Sequence, residues 1–509
     1  MNQGQLPPFA QSIRWQTVNV VTQVVLQLTF ISLLARILEP ADFGVMAIAL
    51  VVVGFIEIFA QVGIGPSLIQ RKDLSPQHTR TAFSFSLVLG CLFFGLMYLA
   101  APWIGSFYHK ELLVDVLRWI SLSFILSSLA IVPRSLLIRE MAFKKLFIAA
   151  CVAMVIGNLV IGLGLAYSGA GIWSYVVALL CQNALLGLMY WILRPSAIGW
   201  KWHAKALRQM LGYGGRSTLF NVSNYAAGKA DTLLVGHLAQ NAQASGWSTT
   251  GLYDRSAYLM GLPISVLGKL GDSVLFSGMA ALQEERAALQ RVLTRAAGLI
   301  SWLIFPASVL LIVFATDIAV LFLGDQYVAA GPVVRILFIG VAFRSLIKLG
   351  DAVVRAVDAL SAAIAIKLLF LSCVSASTYF ALTRNYGIEG VAWGVTASTV
   401  VQFAAMGALI LRTMQWDFRR AVATMKPGLS ALLLAAIGCI AIDWLTNQWS
   451  PGGSNWEYRL ARVAGAGIWT ACCMVFMACR FPELIDGNDP AVRERWLRHV
   501  PGIFKPRPR

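Results

Sequence analysis

Ten charged residues stand inside stretches that are otherwise apolar: Glu57, Lys229, Asp231, Arg255, Lys269, Asp272, Arg344, Lys348, Asp351 and Arg355. A charge at the centre of a membrane helix costs about 2.5–3.5 kcal/mol on insertion scales, so each position needs a reason. Two chemistries suit such a set. Cations can replace the water stripped from an oxyanion, and arginine offers it a planar fork of donors. A carboxylate buried in such a place, Glu57 or Asp231, can exchange a proton or a sodium ion, although Lys229 stands ready to pair with Asp231. Arg344, Lys348, Asp351 and Arg355 are spaced four, three and four apart, which sets them along one helical face. That face cannot meet lipid and must line water or protein. A self-neutralised ladder, with Asp351 paired to Lys348 or Arg355, is the purely structural alternative to a binding stripe.

The elements that position these residues follow from composition. The chain has 509 residues, 58% apolar and 13% charged, with a mean hydropathy of +0.71. Soluble domains carry about 25% charged residues. Here the apolar residues also come in blocks near the roughly 20 residues that cross hydrocarbon as a helix. The fold class is an all-α membrane protein. Fourteen spans are expected, over about 16–38, 42–68, 81–105, 114–138, 146–166, 171–193, 213–239, 248–278, 295–316, 331–354, 362–383, 388–411, 427–447 and 458–480. The seventh and eighth are the richest in Gly, Ser, Asn and charge.

Loop charge orients them. Loops after even-numbered spans hold clusters such as Arg71, Lys72 and Arg80, or Arg139, Lys144 and Lys145, or Arg412, Arg419, Arg420 and Lys426. Loops after odd-numbered spans hold few cations, Lys110 and Arg384 being the main exceptions. The positive-inside rule then places the even loops and both termini in the cytoplasm. Much of the net charge of +17 is accounted for in this way, and the basic tail over 481–509 suits anionic lipid headgroups rather than nucleic acid. No signal peptide or lipidation motif is read at the termini. The eight cysteines and five histidines show no metal or redox spacing, so no metal and no cofactor are expected.

The chain carries an internal echo. Arg14-Trp15-Gln16-Thr17 with Asn19 recurs as Arg216-Ser217-Thr218 with Asn221. Leu33-Leu34 with Leu38 recurs as Leu233-Leu234 with Leu238, and Gly171-Ile172-Trp173 has a weaker counterpart in Gly390 to Trp393. Two parallel copies of six helices explain it, giving expected divisions at 1–195, 196–415, a helix pair over 416–480 and a cytoplasmic tail over 481–509. Parallel halves related by an axis along the membrane normal suit alternating access.

Four segments, in order, carry a family resemblance: Ser32 to Leu50 (SLLARILEPADFGVMAIAL), Gly63 to Gly90 (GIGPSLIQRKDLSPQHTRTAFSFSLVLG), Val132 to Leu146 (VPRSLLIREMAFKKL), and Lys229 to Gly236 (KADTLLVG) followed by Thr250 to Tyr258 (TGLYDRSAY) and Pro263. Together they resemble the Wzx-type oligosaccharide flippases of the MOP exporter superfamily, in the branch that exports colanic-acid-like units. The resemblance spans about residues 10–415. Two places depart from it: a longer stretch between Gly236 and Gly251, and Ser277-Gly278 after Phe276 where a Phe-Pro pair is usual. It implies a V-shaped pair of six-helix lobes with a trailing helix pair. It also implies an undecaprenyl-diphosphate-linked oligosaccharide as cargo, carried from the cytoplasmic to the periplasmic leaflet of the bacterial inner membrane.

On that reading Lys229, Arg255, Arg344, Lys348 and Arg355 are candidates to hold the diphosphate. Arg14 and Arg216, repeat-related, would make the first contact, and Glu57 and Asp231 would couple transport to H+ or Na+. Trp15, Tyr225, Tyr253 and Tyr258 can stack on sugar rings or anchor helices at the interface. Expected partners are the lipid-linked oligosaccharide, membrane lipids, and a polysaccharide polymerase with its export machinery. An ion-coupled multidrug antiporter of the same superfamily is the first alternative, disfavoured by the excess of basic over acidic intramembrane residues. A membrane glycosyltransferase or polymerase is the second. Glu39 with Asp42 is the only obvious acidic pair for it, and the turn at Pro40 explains that pair more simply. An enzyme is not expected.

Overall fold

The computed structural model describes residues 8–60, 65, 68–69, 74–195, 215–242, 246–270, 286–357, 359–449 and 455–481, and all regular structure among them is helical. The first helices are α1 (Pro8–Ala35), α2 (Pro40–Ala60), α3 (Pro76–Phe107), α4 (Glu111–Ile120) and α5 (Leu122–Arg139). Next come α6 (Phe143–Met154), a π-helical segment Val155–Gly162, α7 (Leu163–Tyr167) and α8 (Ile172–Leu193). They are followed by α9 (Gly215–Ala242), α10 (Gly246–Leu270), α11 (Arg286–Val313) and α12 (Ala315–Leu323). A 3-10 turn Asp325–Ala330 leads into α13 (Gly331–Ala356), α14 (Leu360–Thr383), α15 (Gly387–Met414), α16 (Phe418–Thr424), α17 (Lys426–Trp449) and α18 (Trp456–Arg480).

Local chemistry sets the starts and stops. Pro40 and Pro76 open their helices, where a missing N–H costs nothing. Before α3, the Ser75 hydroxyl lies 2.7 Å from His78 Nδ1 in a reciprocal cap. Gly324 closes α12 with φ +97°, a conformation that only glycine takes without strain. The fourth expected span is broken at Ser121, whose hydroxyl donates to the Arg118 carbonyl at 2.6 Å, so α4 and α5 share it.

Twelve helical stretches among the described residues are long and apolar enough to cross a membrane. The seventh and eighth expected spans correspond to α9 and α10, which at 28 and 25 residues are long enough but too polar to qualify. A count of fourteen is therefore not established by length and composition. The outward faces fit hydrocarbon: Leu99 is 72% exposed and Ile468 67%, which water would not tolerate as a continuous surface. The protein is a multi-pass membrane protein. Most helices outrun the apolar blocks, as α3 does over Pro76–Phe107, because helices continue past the hydrocarbon.

The chain divides into two compact units, Met1–Arg255 with Thr378–Gly387, and Ser256–Ser377 with Ile388–Arg509. In the first, Ile48, Val53, Leu117, Phe124 and Val176 build a core where α2, α4, α5 and α8 meet. In the second, Leu289, Leu293, Leu349, Val353 and Met414 join α11, α13 and α15. The last two long helices are fixed within this unit by charge. Arg459 and Arg462 of α18 reach Asp317 of α12 at 3.0 and 3.2 Å, and Arg462 also pairs with Asp443 of α17.

Candidate functional site

In the second unit, α13 and α14 gather basic side chains around one carboxylate. Asp351, 4% exposed, is held by Lys367 of α14, itself 3% exposed, with Nζ 3.0 Å from Oδ1 and 3.1 Å from Oδ2. Lys348 stands 4.0 Å from Oδ2 with its side chain 39% exposed. Arg355 donates through Nε to the Asp351 backbone carbonyl at 3.1 Å. Arg344 donates to Thr399 Oγ1 of α15 at 3.3 Å and lies 5.9 Å over the Phe370 ring. Thr399 gives its own proton to the Val395 carbonyl, which leaves its lone pairs for Arg344. Four basic side chains thus stand around one buried carboxylate.

The in-helix pair of Lys348 with Asp351 is present, and a closer pair between neighbouring helices is added to it. Asp351 takes Lys367 as its close partner, and Lys348 is left at the rim. Sequence reasoning missed Lys367 because it has no charged neighbour at i±3 or i±4. The available signal was the lysine itself, alone inside the apolar 24-residue helix Leu360–Thr383.

Other expected residues lie in the first unit, in a different setting. Arg255 is 4% exposed, pairs with its neighbour Asp254 and sits 4.7 Å over the Phe43 ring. Asp231 accepts from the Tyr253 hydroxyl at 2.6 Å and from the Thr232 N–H at 2.8 Å. These groups surround a close approach of α2 and α10. A Cβ on Gly44 would run into the Trp247 carbonyl oxygen, and one on Gly251 into that of Pro40. The segments Ser32 to Leu50 and Thr250 to Tyr258 therefore meet face to face. The Tyr225 hydroxyl donates to the Val51 carbonyl at 3.1 Å, and Tyr253 is fully buried, so both rings serve packing. Trp15 lies 5.7 Å from the Phe147 ring under the Lys144 ammonium.

Lys229 is half-buried in α9, and Glu57 lines a cavity of about 260 Å³ within the first unit. Arg14 and Arg216 lie in α1 and α9, but their side chains, like that of Lys269, fall outside the described residues; Asp272 and the Phe276-Ser277-Gly278 stretch do so entirely. The second unit also holds an apolar cleft of about 990 Å³ walled by α11, α13, α15, α16 and α17, with Phe305, Phe343, Phe403 and Trp416 among its lining.

The described residues thus combine membrane-length helices with a basic cluster and an apolar cleft. The structure resembles lipid II flippase MurJ in an inward closed conformation, with a TM-score of 0.68 at 13% identity over 92% of this chain and 99% of that one. It also resembles an inward-facing multidrug resistance MATE family transporter of the MOP superfamily, at TM-score 0.61 and 16% identity, over 81% of this chain and 99% of that one. The polysaccharide biosynthesis protein family matches residues 33–332, and the chain belongs to that family. Among curated relatives, the teichuronic acid biosynthesis protein TuaB of Bacillus subtilis is 22% identical over 92% of this chain and 95% of its own. The lipopolysaccharide biosynthesis protein WzxC of Escherichia coli is 23% identical over 65% of this chain and 66% of its own.

Proposed function

We propose that the protein is a flippase for an undecaprenyl-diphosphate-linked oligosaccharide in the bacterial inner membrane, working by alternating access between parallel halves. The observation that carries this is the basic cluster on α13 and α14, Arg344, Lys348, Arg355 and Lys367 around the single carboxylate of Asp351, set in helices long and apolar enough to cross a membrane. A diphosphate must shed its water to cross, and fixed cations can replace it. Lys348, Arg355 and Arg344 hold the diphosphate, while the Lys367–Asp351 pair fixes their helices. The apolar cleft of the second unit gives an isoprenoid tail a surface to follow. Arg255, already partnered, positions α10, and Lys229, Arg14 and Arg216 make the earlier contacts. Of the two carboxylates expected to couple an ion, Glu57 lines the cavity of the first unit, and Asp231 is engaged by Tyr253.

Loop charge supports cytoplasmic termini, and the sequence echo supports halves at 1–195 and 196–415, followed by the helix pair over 416–480 and a cytoplasmic tail over 481–509. The relatives' names belong to polysaccharide biosynthesis; a place beside a polymerase and export machinery, with no covalent chemistry by this chain, is part of the same proposal. A multidrug antiporter shares the fold, but a cationic drug would be repelled by the same cluster.

The test is polysaccharide output in a strain lacking its own flippase. Losing one charge-assisted bond costs roughly ten- to hundredfold in binding, so Lys348→Ala and Arg355→Ala should cut export steeply at equal membrane abundance. Arg355→Lys should rescue only in part, because an ammonium lacks the fork. Full export by both alanine variants would refute the assignment.

A further inference from the structure

The first unit encloses a second chamber with a different chemistry. Its cavity of about 260 Å³ is lined from α1, α2, α3, α5, α6 and α8. The polar lining includes Gln23, Glu57, Arg134, Gln182 and Asn183, three serines, and the ring of Tyr190. The lining holds one guanidinium and one carboxylate, so it carries no formal net charge. That separates it from the cationic cluster on α13 and α14, and a polyanion has no reason to prefer it. A metal or sodium site would gather several carboxylates or carbonyls, and here a single carboxylate lines the wall.

What the lining does supply is many neutral donors and acceptors beside apolar surface. The Ser86 and Ser128 hydroxyls give their protons to the Ala82 and Ile125 carbonyls at 2.7 Å, which leaves their lone pairs to accept. Gln182 Oε1 accepts from Asn158 Nδ2 at 3.0 Å, which leaves the amide N–H groups of Gln182 to donate. Asn158 is carried by the π-helical segment Val155–Gly162, a backbone form that recurs at functional sites. Gly157 on that segment comes so close to α8 that a Cβ would stand 2.7 Å from the Gln182 backbone nitrogen. The amide is therefore held from behind, and the cavity is far too large for a single water.

We infer that this cavity is a binding site for one neutral pyranose ring. Sugar hydroxyls each donate and accept, as the amides and serines require, and the ring's C–H face matches Tyr190 and the aliphatic wall. Glu57 and Arg134 act as charge-assisted partners of hydroxyl groups. The site lies toward one end of the unit. Arg134 is five residues from the end of α5 and Tyr190 three from the end of α8, so both sit within about 8 Å of a helix terminus. That end carries Arg139, Lys144 and Lys145, and exposed Arg134 marks the mouth. Resting on the flippase reading, the site takes a sugar of the cargo on the cytoplasmic side.

The experiment is saturation-transfer NMR on the full chain in lipid nanodiscs, with glucose, galactose and glucuronate as probes. The wild type should transfer saturation to the ring protons of at least one neutral hexose, more strongly than to glucuronate. Asn183→Leu and Gln23→Leu, on different helices and checked for monodispersity, should each weaken it about tenfold. Lys348→Ala should leave it unchanged. Transfer no greater than from empty nanodiscs, or equal in both cavity variants and wild type, means a chamber filled only by water and overturns the proposal. Preference for glucuronate overturns the neutral assignment. The two readings separate cleanly. If Lys348→Ala loses export while the wild type shows no sugar transfer, the sugar site fails and the flippase reading stands. If sugar transfer depends on Asn183 while Lys348→Ala exports normally, the sugar site stands and the diphosphate assignment fails.

Discussion

Arg255 and Lys348 are both basic residues inside long helices, and they occupy opposite circumstances. Arg255 is buried, paired with Asp254 and stacked on Phe43, beside an acid, Asp231, that is itself fully engaged. Lys348 is partly exposed and stands at the rim of a pair that Asp351 has already formed with Lys367. The first region uses its charges to hold α2 against α10; the second sets Lys348 at the half-open rim of a buried pair. Charge alone does not separate these cases; burial and the closeness of each partner do.

The largest effect should come from breaking the central pair of the second region. Lys367→Ala leaves Asp351 buried without its partner, and such a loss costs about 3–5 kcal/mol. The thermal midpoint of purified protein should fall well below that of Lys348→Ala. The double variant Lys367→Met with Asp351→Leu should recover most of it, since a buried pair often exchanges for apolar residues without loss. Equal midpoints for the two single variants would erase the distinction between pair and rim.

A smaller effect is expected in the first region. Gly251→Ala forces α10 away from the Pro40 carbonyl, and overpacking of this kind costs about 1–3 kcal/mol. Gly261→Ala, later in the same helix and with nothing near its added Cβ, should be neutral or slightly stabilising. If the two glycines respond alike, the close approach of α2 and α10 is not tight in solution. Smallest of all, Arg419→Ala on exposed α16 should leave midpoint and export unchanged, as a lone surface charge contributes little.

Sequence periodicity located the helices because hydrocarbon length is a hard constraint. It blurred where polar residues diluted the signal, as in α9 and α10, and it could not see the break at Ser121, which is a local hydrogen-bond choice. The stripe on α13 was legible from its spacing, whereas its partner on α14 was not, because pairing between helices leaves no mark at a fixed spacing in sequence. The meeting of the Phe43-Gly44 and Gly251 segments was equally invisible, although both had been singled out. The cavity of the first unit gave only Glu57 as a hint; its amides and serines are scattered over several helices. Compact units and the expected repeats also differ: α9 opens the second expected repeat yet packs on α2 through Tyr225.

The bond between Asp317 and the two arginines of α18 bears on how such proteins can be recombined. The family match ends at residue 332, so the final helix pair looks like an exchangeable cassette. Asp317 sits before that border, and its guanidinium partners sit long after it. A chimera that imported a foreign helix pair would strand this acid in a closed space. Grafts should therefore travel with residue 317 matched to the incoming helix, or with Asp317→Leu as a neutral joint.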